Sequence, residues 1–147
     1  MKRIKLQIPA EAENMELVRL TLYGIASKMG FSYEEIEDMK VAVGEACNNA
    51  ILHAYPEQEA AGVIDLEFQT DTNYMTILVK DHGPSFELQD SYKDAAMLGG
   101  QSISELKVGG LGIYLMQALM DEVEVQTGAG TEVRMTKYRE AREPQGN

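Results

Sequence analysis

Cysteine, histidine and basic residues are all scarce in this chain of 147 residues. The single cysteine, Cys47, excludes a disulfide within the chain, and its place on an apolar helical stripe predicts a small buried hydrophobe. The two histidines, His53 and His82, are too few for a convincing zinc site. Thirteen basic residues against 24 acidic ones give a formal net charge of −11. Such a charge repels the phosphate backbone of nucleic acids, which argues against nucleic acid as a direct partner.

Long apolar runs are missing as well. No stretch approaches the roughly 18 apolar residues of a membrane span, and residues 1–5 lack the apolar stretch of a signal peptide. We therefore expect a cytoplasmic protein. The hydrophobic fraction of 44% and the charged fraction of 25% are ordinary for one globular domain with a real core.

Two common nucleotide-binding motifs are absent from the sequence. The P-loop pattern does not occur, and the glycine cluster at residues 109–112 lacks the third glycine and the preceding strand of a dinucleotide fingerprint. These glycines precede a helical pattern, where they form either a flexible loop end or a phosphate cradle made of N–H groups and the positive helix end. The acidic charge does not exclude ATP, because magnesium and backbone N–H groups can meet its charge locally.

The clearest predicted element is a long helix that begins at the capping box of Ser32 and ends near Tyr55, before Pro56. Glu45 and Asn49 lie off its apolar stripe and are four residues apart, so a carboxylate and a carboxamide share one helix face. Alone, such a pair is most often two solvated residues. The stripe itself consists of Ile36, Met39, Val43, Ala46, Cys47, Ala50 and Ile51.

The other patterns predict strands and two further helices around this element. Polar and apolar residues alternate along the strands, which suits a mixed or antiparallel sheet with one solvated face and helices on the other. We therefore predict an α+β fold, a two-layer α/β sandwich. The predicted strands cover residues 4–8, 63–70, 74–80, 121–127 and 131–138, and the helices run from an N-cap at Asn14 to Gly30 and over 110–119.

Residues 83–108 lack a clear period. A structureless segment of that length inside a compact domain is usually functional. We predict a mobile lid, with one short helix near residues 91–97 and hinges at its glycine pairs. The charged residues 139–147 are expected to be a frayed tail, which leaves 1–138 as a single domain.

Four features in this order resemble the nucleotide site of the GHKL ATPase/kinase superfamily. They are the carboxamide helix, Asp81-His82-Gly83 after a strand, the glycine-rich helix start, and Thr131 after a glycine turn. Within that superfamily the chain resembles the RsbW/SpoIIAB family of bacterial anti-sigma-factor serine kinases over almost its whole length, most closely the RsbW branch. The resemblance implies a Bergerat-type ATP-binding fold with a mostly antiparallel sheet.

The resemblance also implies a role for each matching position. Glu45 matches the catalytic acidic residue, whose carboxylate accepts a proton from a serine hydroxyl or from water, and Asn49 matches the ligand of Mg²⁺. Asp81 matches the aspartate that reads adenine, and Gly83 lets the backbone pass close to the base. The phosphate-wrapping glycine box and the late threonine near the adenine aspartate correspond to Gly109, Gly110, Leu111, Gly112 and Thr131. No role follows for His53 or Lys107.

As a whole, the resemblance implies an Mg-ATP-dependent protein-serine kinase that acts by partner switching. Such a protein sequesters an RNA polymerase sigma factor, phosphorylates a serine on its anti-anti-sigma antagonist, and forms a homodimer without membrane contact. Two alternatives stay open, a non-catalytic ATP-gated sigma-binding module and the catalytic domain of a two-component histidine kinase. Glu45 disfavours the first, and the lack of a phosphoacceptor-histidine hairpin before the first strand disfavours the second.

Overall fold

The computed structural model describes residues 1–54, 62–83 and 108–140. The predicted lid with its short helix, Pro56 and residues 141–147 lie outside the described residues. The order of the elements agrees with the prediction. The elements are β1 (Lys2–Pro9), α1 (Met15–Met29), α2 (Tyr33–Asn49), β2 (Val63–Thr70), β3 (Tyr74–Asp81), α3 (Val108–Leu119), β4 (Glu122–Gly128) and β5 (Gly130–Tyr138).

The five strands form one sheet in the order β1-β2-β3-β5-β4. All four pairings between these strands are antiparallel, so the part of the sheet described here contains no parallel pair. Every second residue of β2, β3 and β5 is buried, and these side chains form one core with the helices. The predicted α+β fold, a two-layer sandwich with helices on one face of the sheet, is confirmed. The largest fully buried side chains of the three strands include Phe68, Ile64, Leu66, Met75, Ile77 and Met135.

The local signals that start and stop the helices are confirmed in two places and in part in a third. Gly30 ends α1 with a left-handed φ of 87°. Ser32 Oγ accepts from the Glu35 N–H at 3.1 Å, and Glu35 Oε1 accepts from the Ser32 N–H at 2.7 Å, which completes the capping box of α2. Asn14 lies at the predicted N-cap position of α1, but its side chain makes no capping hydrogen bond; its amide donates to the Pro9 carbonyl oxygen at 3.0 Å.

The long central helix changes its geometry where the site residues lie. The α-helix ends at Asn49, and Ala50–Ala54 continue it as a π-helical turn, so the helix reaches almost to the predicted end near Tyr55 but its last turn is not α-helical. Single π-helical turns are rare and occur often at functional sites. The turn contacts β3, so the end of the helix is held against the sheet.

Arg139 and Glu140 are the last residues that the structure describes, and both are held by hydrogen bonds. The N–H of Arg139 donates to the Asn73 carbonyl at 2.7 Å, and that of Glu140 donates to Glu35 Oε2 at 3.0 Å. These two residues, which were predicted to begin the frayed tail, are thus bonded to the domain.

Cys47 is fully buried as predicted, and burial raises the pKa of its thiol to about 12. Within residues 1–54, 62–83 and 108–140, no helix is both long enough and apolar enough to span a membrane.

Candidate active site

Glu45 and Asn49 lie side by side against α3, and Gly112 is what makes room for them. A Cβ atom at Gly112 would stand 3.0 Å from Asn49 Nδ2 and 3.3 Å from Glu45 Oε2. Asn49 is buried and Glu45 is half-buried. The structure therefore brings the predicted acid, the predicted metal ligand and one glycine of the predicted box to one point.

The first turn of α3 contains the other residues of the glycine box. The helix begins at Val108, two residues before the predicted start, so Gly109 and Gly110 lie inside it rather than ahead of it. The first four N–H groups of an α-helix have no acceptor within the helix, and the helix dipole makes this end positive. In α3 these groups belong to residues 108–111, which directly precede Gly112. An anion at this end would border Glu45 and Asn49.

Asp81 forms a second cluster with the hairpin of β4 and β5. It is the last residue of β3 and continues the core-facing series of that strand, with only 3% of its surface exposed. Its Oδ1 accepts from the N–H groups of Gly83 at 3.2 Å and Thr131 at 3.3 Å. Burial raises the pKa of the Asp81 carboxyl, and the two N–H donors partly offset this rise. In the described part of the chain no hydrogen-bond donor reaches the second oxygen, Oδ2.

Thr131 lies directly opposite Asp81 in the β3–β5 register. Its side chain is buried, and its Oγ1 has no hydrogen-bond partner among the residues described. A buried hydroxyl without a partner is costly, typically by about 1–3 kcal/mol, so such a group usually serves a ligand or an ordered water. The predicted pair of aspartate and threonine therefore presents two polar atoms that no other described residue binds.

Gly130 is a site residue that the sequence reasoning missed. Its φ is +107°, and a Cβ at this position would stand 2.1 Å from the Asp81 carbonyl oxygen. Only glycine allows the β4–β5 turn to approach so closely, and this approach brings the Thr131 N–H to Asp81. The available signal was the position of Gly130 at the end of the glycine turn, directly before Thr131.

His82 takes part in a chain of polar contacts that leads away from Asp81. Its Nε2 lies 2.6 Å from Asp65 Oδ2, and Gln7 donates to Asp65 Oδ1 at 2.7 Å. The hydrogen bond from His82 is the main reason why the pKa of Asp65 is lowered. No group of three or more potential His, Cys, Asp or Glu metal ligands occurs among the described residues.

The end of α2 connects the two clusters. Asn49 closes the α-helix, the following π-helical turn contacts β3, and β3 ends at Asp81. The carboxylate and carboxamide of α2 thus belong to the same rigid framework as the buried aspartate. The side chains of His53 and Lys107 lie outside the description, and neither receives a role.

Comparison with known proteins agrees with this geometry. Residues 8–137 match the family model described as a histidine kinase-like ATPase domain. The chain is 46% identical over 136 residues to the serine-protein kinase RsbW of Bacillus licheniformis, and 43% identical over 136 residues to that of Bacillus subtilis. Each alignment covers 92% of this chain and 84% of the relative.

A solved structure supports the fold independently. The crystal structure of the RsbU and RsbW domains of a Mycobacterium tuberculosis protein superposes with a TM-score of 0.67 at 20% identity. The match covers 97% of this chain and 34% of that one, so this chain corresponds to about a third of the larger protein. The match of this chain to a histidine kinase-like ATPase domain identifies ATP as the ligand class, and the chain belongs to the RsbW family of serine-protein kinases.

Proposed function

We propose that this chain is an ATP- and Mg²⁺-dependent serine-protein kinase that also sequesters an RNA polymerase sigma factor. Its substrate is a serine on the anti-anti-sigma antagonist of that factor. The observation that carries the proposal is the contact at Gly112, where one missing side chain lets Glu45 and Asn49 meet the start of α3. Relatives that are 43–46% identical carry the name serine-protein kinase, which supports the same activity.

The cluster around Asp81 fits an adenine base. Oδ2 of the carboxylate, which no described donor reaches, is an acceptor for an exocyclic amine. Thr131 Oγ1, which has no partner among the described residues, can donate to a ring nitrogen, directly or through a water. Gly83 carries no side chain that would keep a base away from its backbone. The protein thus supplies one acceptor and one hydroxyl where an adenine presents an amine beside a ring nitrogen.

The cluster around Gly112 fits a magnesium-bound triphosphate. The Asn49 carboxamide oxygen is a hard ligand of the kind that Mg²⁺ accepts. The N–H groups at the start of α3 are donors to phosphate oxygens. When bound, Mg-ATP supplies the γ-phosphoryl group that is transferred. Glu45, whose carboxylate lies beside Asn49 at Gly112, accepts the proton of the attacking serine hydroxyl.

We also propose that the protein is cytoplasmic and acts as a homodimer, as the family resemblance implies. Its two protein partners are the sigma factor and the antagonist. The formal net charge of −11 supports proteins rather than DNA as the direct partners, because an acidic surface repels the phosphate backbone.

Label transfer from γ-labelled ATP tests this proposal. With Mg²⁺, the wild-type protein is expected to label a serine on one small protein encoded in the same genome. The variant Glu45→Gln should keep its ATP affinity and lose transfer by roughly 100-fold or more, since general base catalysis contributes about 10²–10⁴. Glu124→Gln removes an exposed carboxylate on β4 and serves as the matched control. If ATP binds and no protein is labelled, the kinase proposal is wrong.

A further inference from the structure

Gln7, Asp65 and His82 form a continuous row of polar contacts on the face of the sheet that points away from the helices. Gln7 on β1 is the register partner of Asp65 on β2, and its Nε2 donates to Asp65 Oδ1 at 2.7 Å. His82 Nε2 lies 2.6 Å from Asp65 Oδ2. Both oxygens of the Asp65 carboxylate are therefore engaged, one by the edge strand and one by the residue that follows β3.

His82 stands between the buried Asp81 and Gly83 in the chain. Asp81 faces the core and His82 faces the opposite side, as the alternation of side chains along a strand requires. The ladder pairs of β3 end at Asp81, which lies opposite Ile64 on β2 and Thr131 on β5. The peptide that brings the Gly83 N–H to Asp81 Oδ1 thus lies beyond the last paired residue. A side-chain contact at His82 acts directly on that peptide.

The two N–H donors of the Asp81 carboxylate are held in different ways. The Thr131 donor belongs to a residue that is paired within the β3–β5 ladder. The Gly83 donor follows the end of the strand, where the contact of His82 with Asp65 ties the chain to β2. A carboxylate that accepts from two fixed donors on one oxygen keeps its other oxygen aimed in one direction. The direction of Asp81 Oδ2 therefore depends on both anchors.

We propose that Asp65 and His82 are positioning residues for the adenine end of the nucleotide. They act through the turn at residues 81–83, which sets the direction of Asp81 Oδ2, and not on the base itself. This proposal rests on the adenine role of Asp81 in the proposed function and adds the residues that hold that acceptor in place. The side chains of His82 and Asp65 are 47% and 38% exposed, so their contact contributes little to the stability of the fold. Its effect is expected in nucleotide affinity.

Displacement of a fluorescent nucleotide by AMP, measured on the full chain, tests this role. His82→Ala and Asp65→Ala should each weaken AMP about three- to fivefold, the upper end of what an exposed pair contributes. The double variant should weaken AMP no more than either single variant, because both substitutions break the same contact. His82→Gln keeps a side-chain N–H donor and should restore AMP affinity to within about twofold of the wild type. In phosphotransfer, the KM for Mg-ATP should rise by the same factor while kcat stays within about twofold.

Arg3→Ala is the matched control, because Arg3 Nε lies 3.8 Å from Glu67 Oε2 and forms another exposed ion pair on the same face of the sheet. It should lower the unfolding temperature as little as His82→Ala does and leave AMP affinity unchanged. Unchanged AMP affinity in His82→Ala and Asp65→Ala, or an equal loss in Arg3→Ala, would overturn the positioning proposal alone. Additive losses in the double variant would also overturn it, because the two residues would then act independently. If the wild type did not bind AMP, the adenine role of Asp81 would fail first and the positioning proposal with it.

Discussion

At Gly112 and Asp81, single residues decide what the site can hold. Gly112 leaves a space that the ends of the Glu45 and Asn49 side chains fill. Asp81 keeps a carboxylate in a buried position, where ionisation is costly unless a partner is present. Both arrangements suit the binding of a ligand and cost stability in the free protein, as is common at functional sites.

Gly112→Ala separates activity from stability. The new methyl group would lie 3.0 Å from Asn49 Nδ2 and 3.3 Å from Glu45 Oε2, so both side chains must move by a few tenths of an ångström. Displacements of catalytic groups by about 1 Å can cost about 100-fold, so we expect phosphotransfer to fall roughly tenfold. Folding should not weaken, because alanine is favoured over glycine in a helix by about 0.5–1 kcal/mol.

Gly24→Ala is the control for this substitution. Gly24 lies in α1, and a Cβ there would meet nothing within 4 Å. It should gain the same helical stability and keep wild-type phosphotransfer. Denaturant unfolding and label transfer, measured on both variants, decide the matter, and equal activity in the two would contradict the role of Gly112.

Asp81→Asn should weaken adenine-nucleotide binding by about 10- to 100-fold, the usual cost of losing a hydrogen bond to a charged group. The free variant should be at least as stable as the wild type at neutral pH. The pKa of Asp81 is raised by burial in the folded state, so its contribution to stability is complete at acid pH and is lost as the pH rises through that raised pKa.

The stability gap between Asp81→Asn and the wild type should therefore widen from acid pH towards neutrality. Denaturant unfolding at a series of pH values measures the gap, and nucleotide titration measures the affinity. A variant that is less stable than the wild type at neutral pH would show that the carboxylate is structural, contrary to the adenine role.

At the scale of elements, the β4–β5 hairpin places Thr131 against Asp81, where we propose that adenine binds. Gly130→Ala would place a methyl group 2.1 Å from the Asp81 carbonyl oxygen at a residue with φ of +107°. A left-handed backbone alone costs a non-glycine residue about 1–2 kcal/mol. We expect the unfolding free energy to fall by at least about 2 kcal/mol, together with nucleotide affinity, because the turn must move away from Asp81.

Gly128→Ala, at the other end of the same turn, should change neither quantity by much. A Cβ at Gly128 meets nothing within 4 Å, and its φ is not positive. Thermal unfolding and nucleotide titration of the two variants form the comparison. If Gly130→Ala changed the unfolding temperature and the nucleotide affinity as little as Gly128→Ala, the turn would tolerate a side chain at Gly130 and would not position Asp81.

The elements that could be predicted from the sequence are those with local causes. The capping box at Ser32 and the left-handed Gly30 involve residues a few positions apart, so pattern and structure agree. Asn14 stands at the predicted N-cap position but makes no capping bond, and its amide donates to the Pro9 carbonyl on β1, a contact that the local pattern does not indicate. The π-helical turn after Asn49 has no signal in the apolar period, because α and π turns differ little over five residues.

The site was predictable in composition and less so in geometry. The order and spacing of the aspartate, the glycines and the threonine indicate a family, and the residues they name do assemble in two clusters. The role of Gly130 depends on a contact with Asp81, 49 residues away in the chain, which only the register of β3 and β5 creates. Sequence reasoning from local patterns cannot find such a contact.

At the scale of the whole molecule, one sheet and two helices hold two clusters of polar groups in fixed relation. In our proposal the sheet supplies a buried acceptor and a hydroxyl for a base, and α2 with α3 supplies a carboxylate, a carboxamide and helix N-terminal N–H groups for phosphates. The π-helical turn joins the two by its contact with β3. The central claim is that both clusters hold parts of the same nucleotide.

Displacement of a fluorescent nucleotide by AMP and by Mg-ATP, measured on the wild type, Asp81→Asn and Asn49→Ala, tests that claim most directly. Asp81→Asn should weaken both competitors by a similar factor, because both carry adenine. Asn49→Ala should weaken Mg-ATP by roughly tenfold or more and leave AMP unchanged, because AMP lacks the phosphates that hold the metal at Asn49. If Asn49→Ala weakened AMP as much as Mg-ATP, or Asp81→Asn spared AMP, the two clusters would not share one nucleotide.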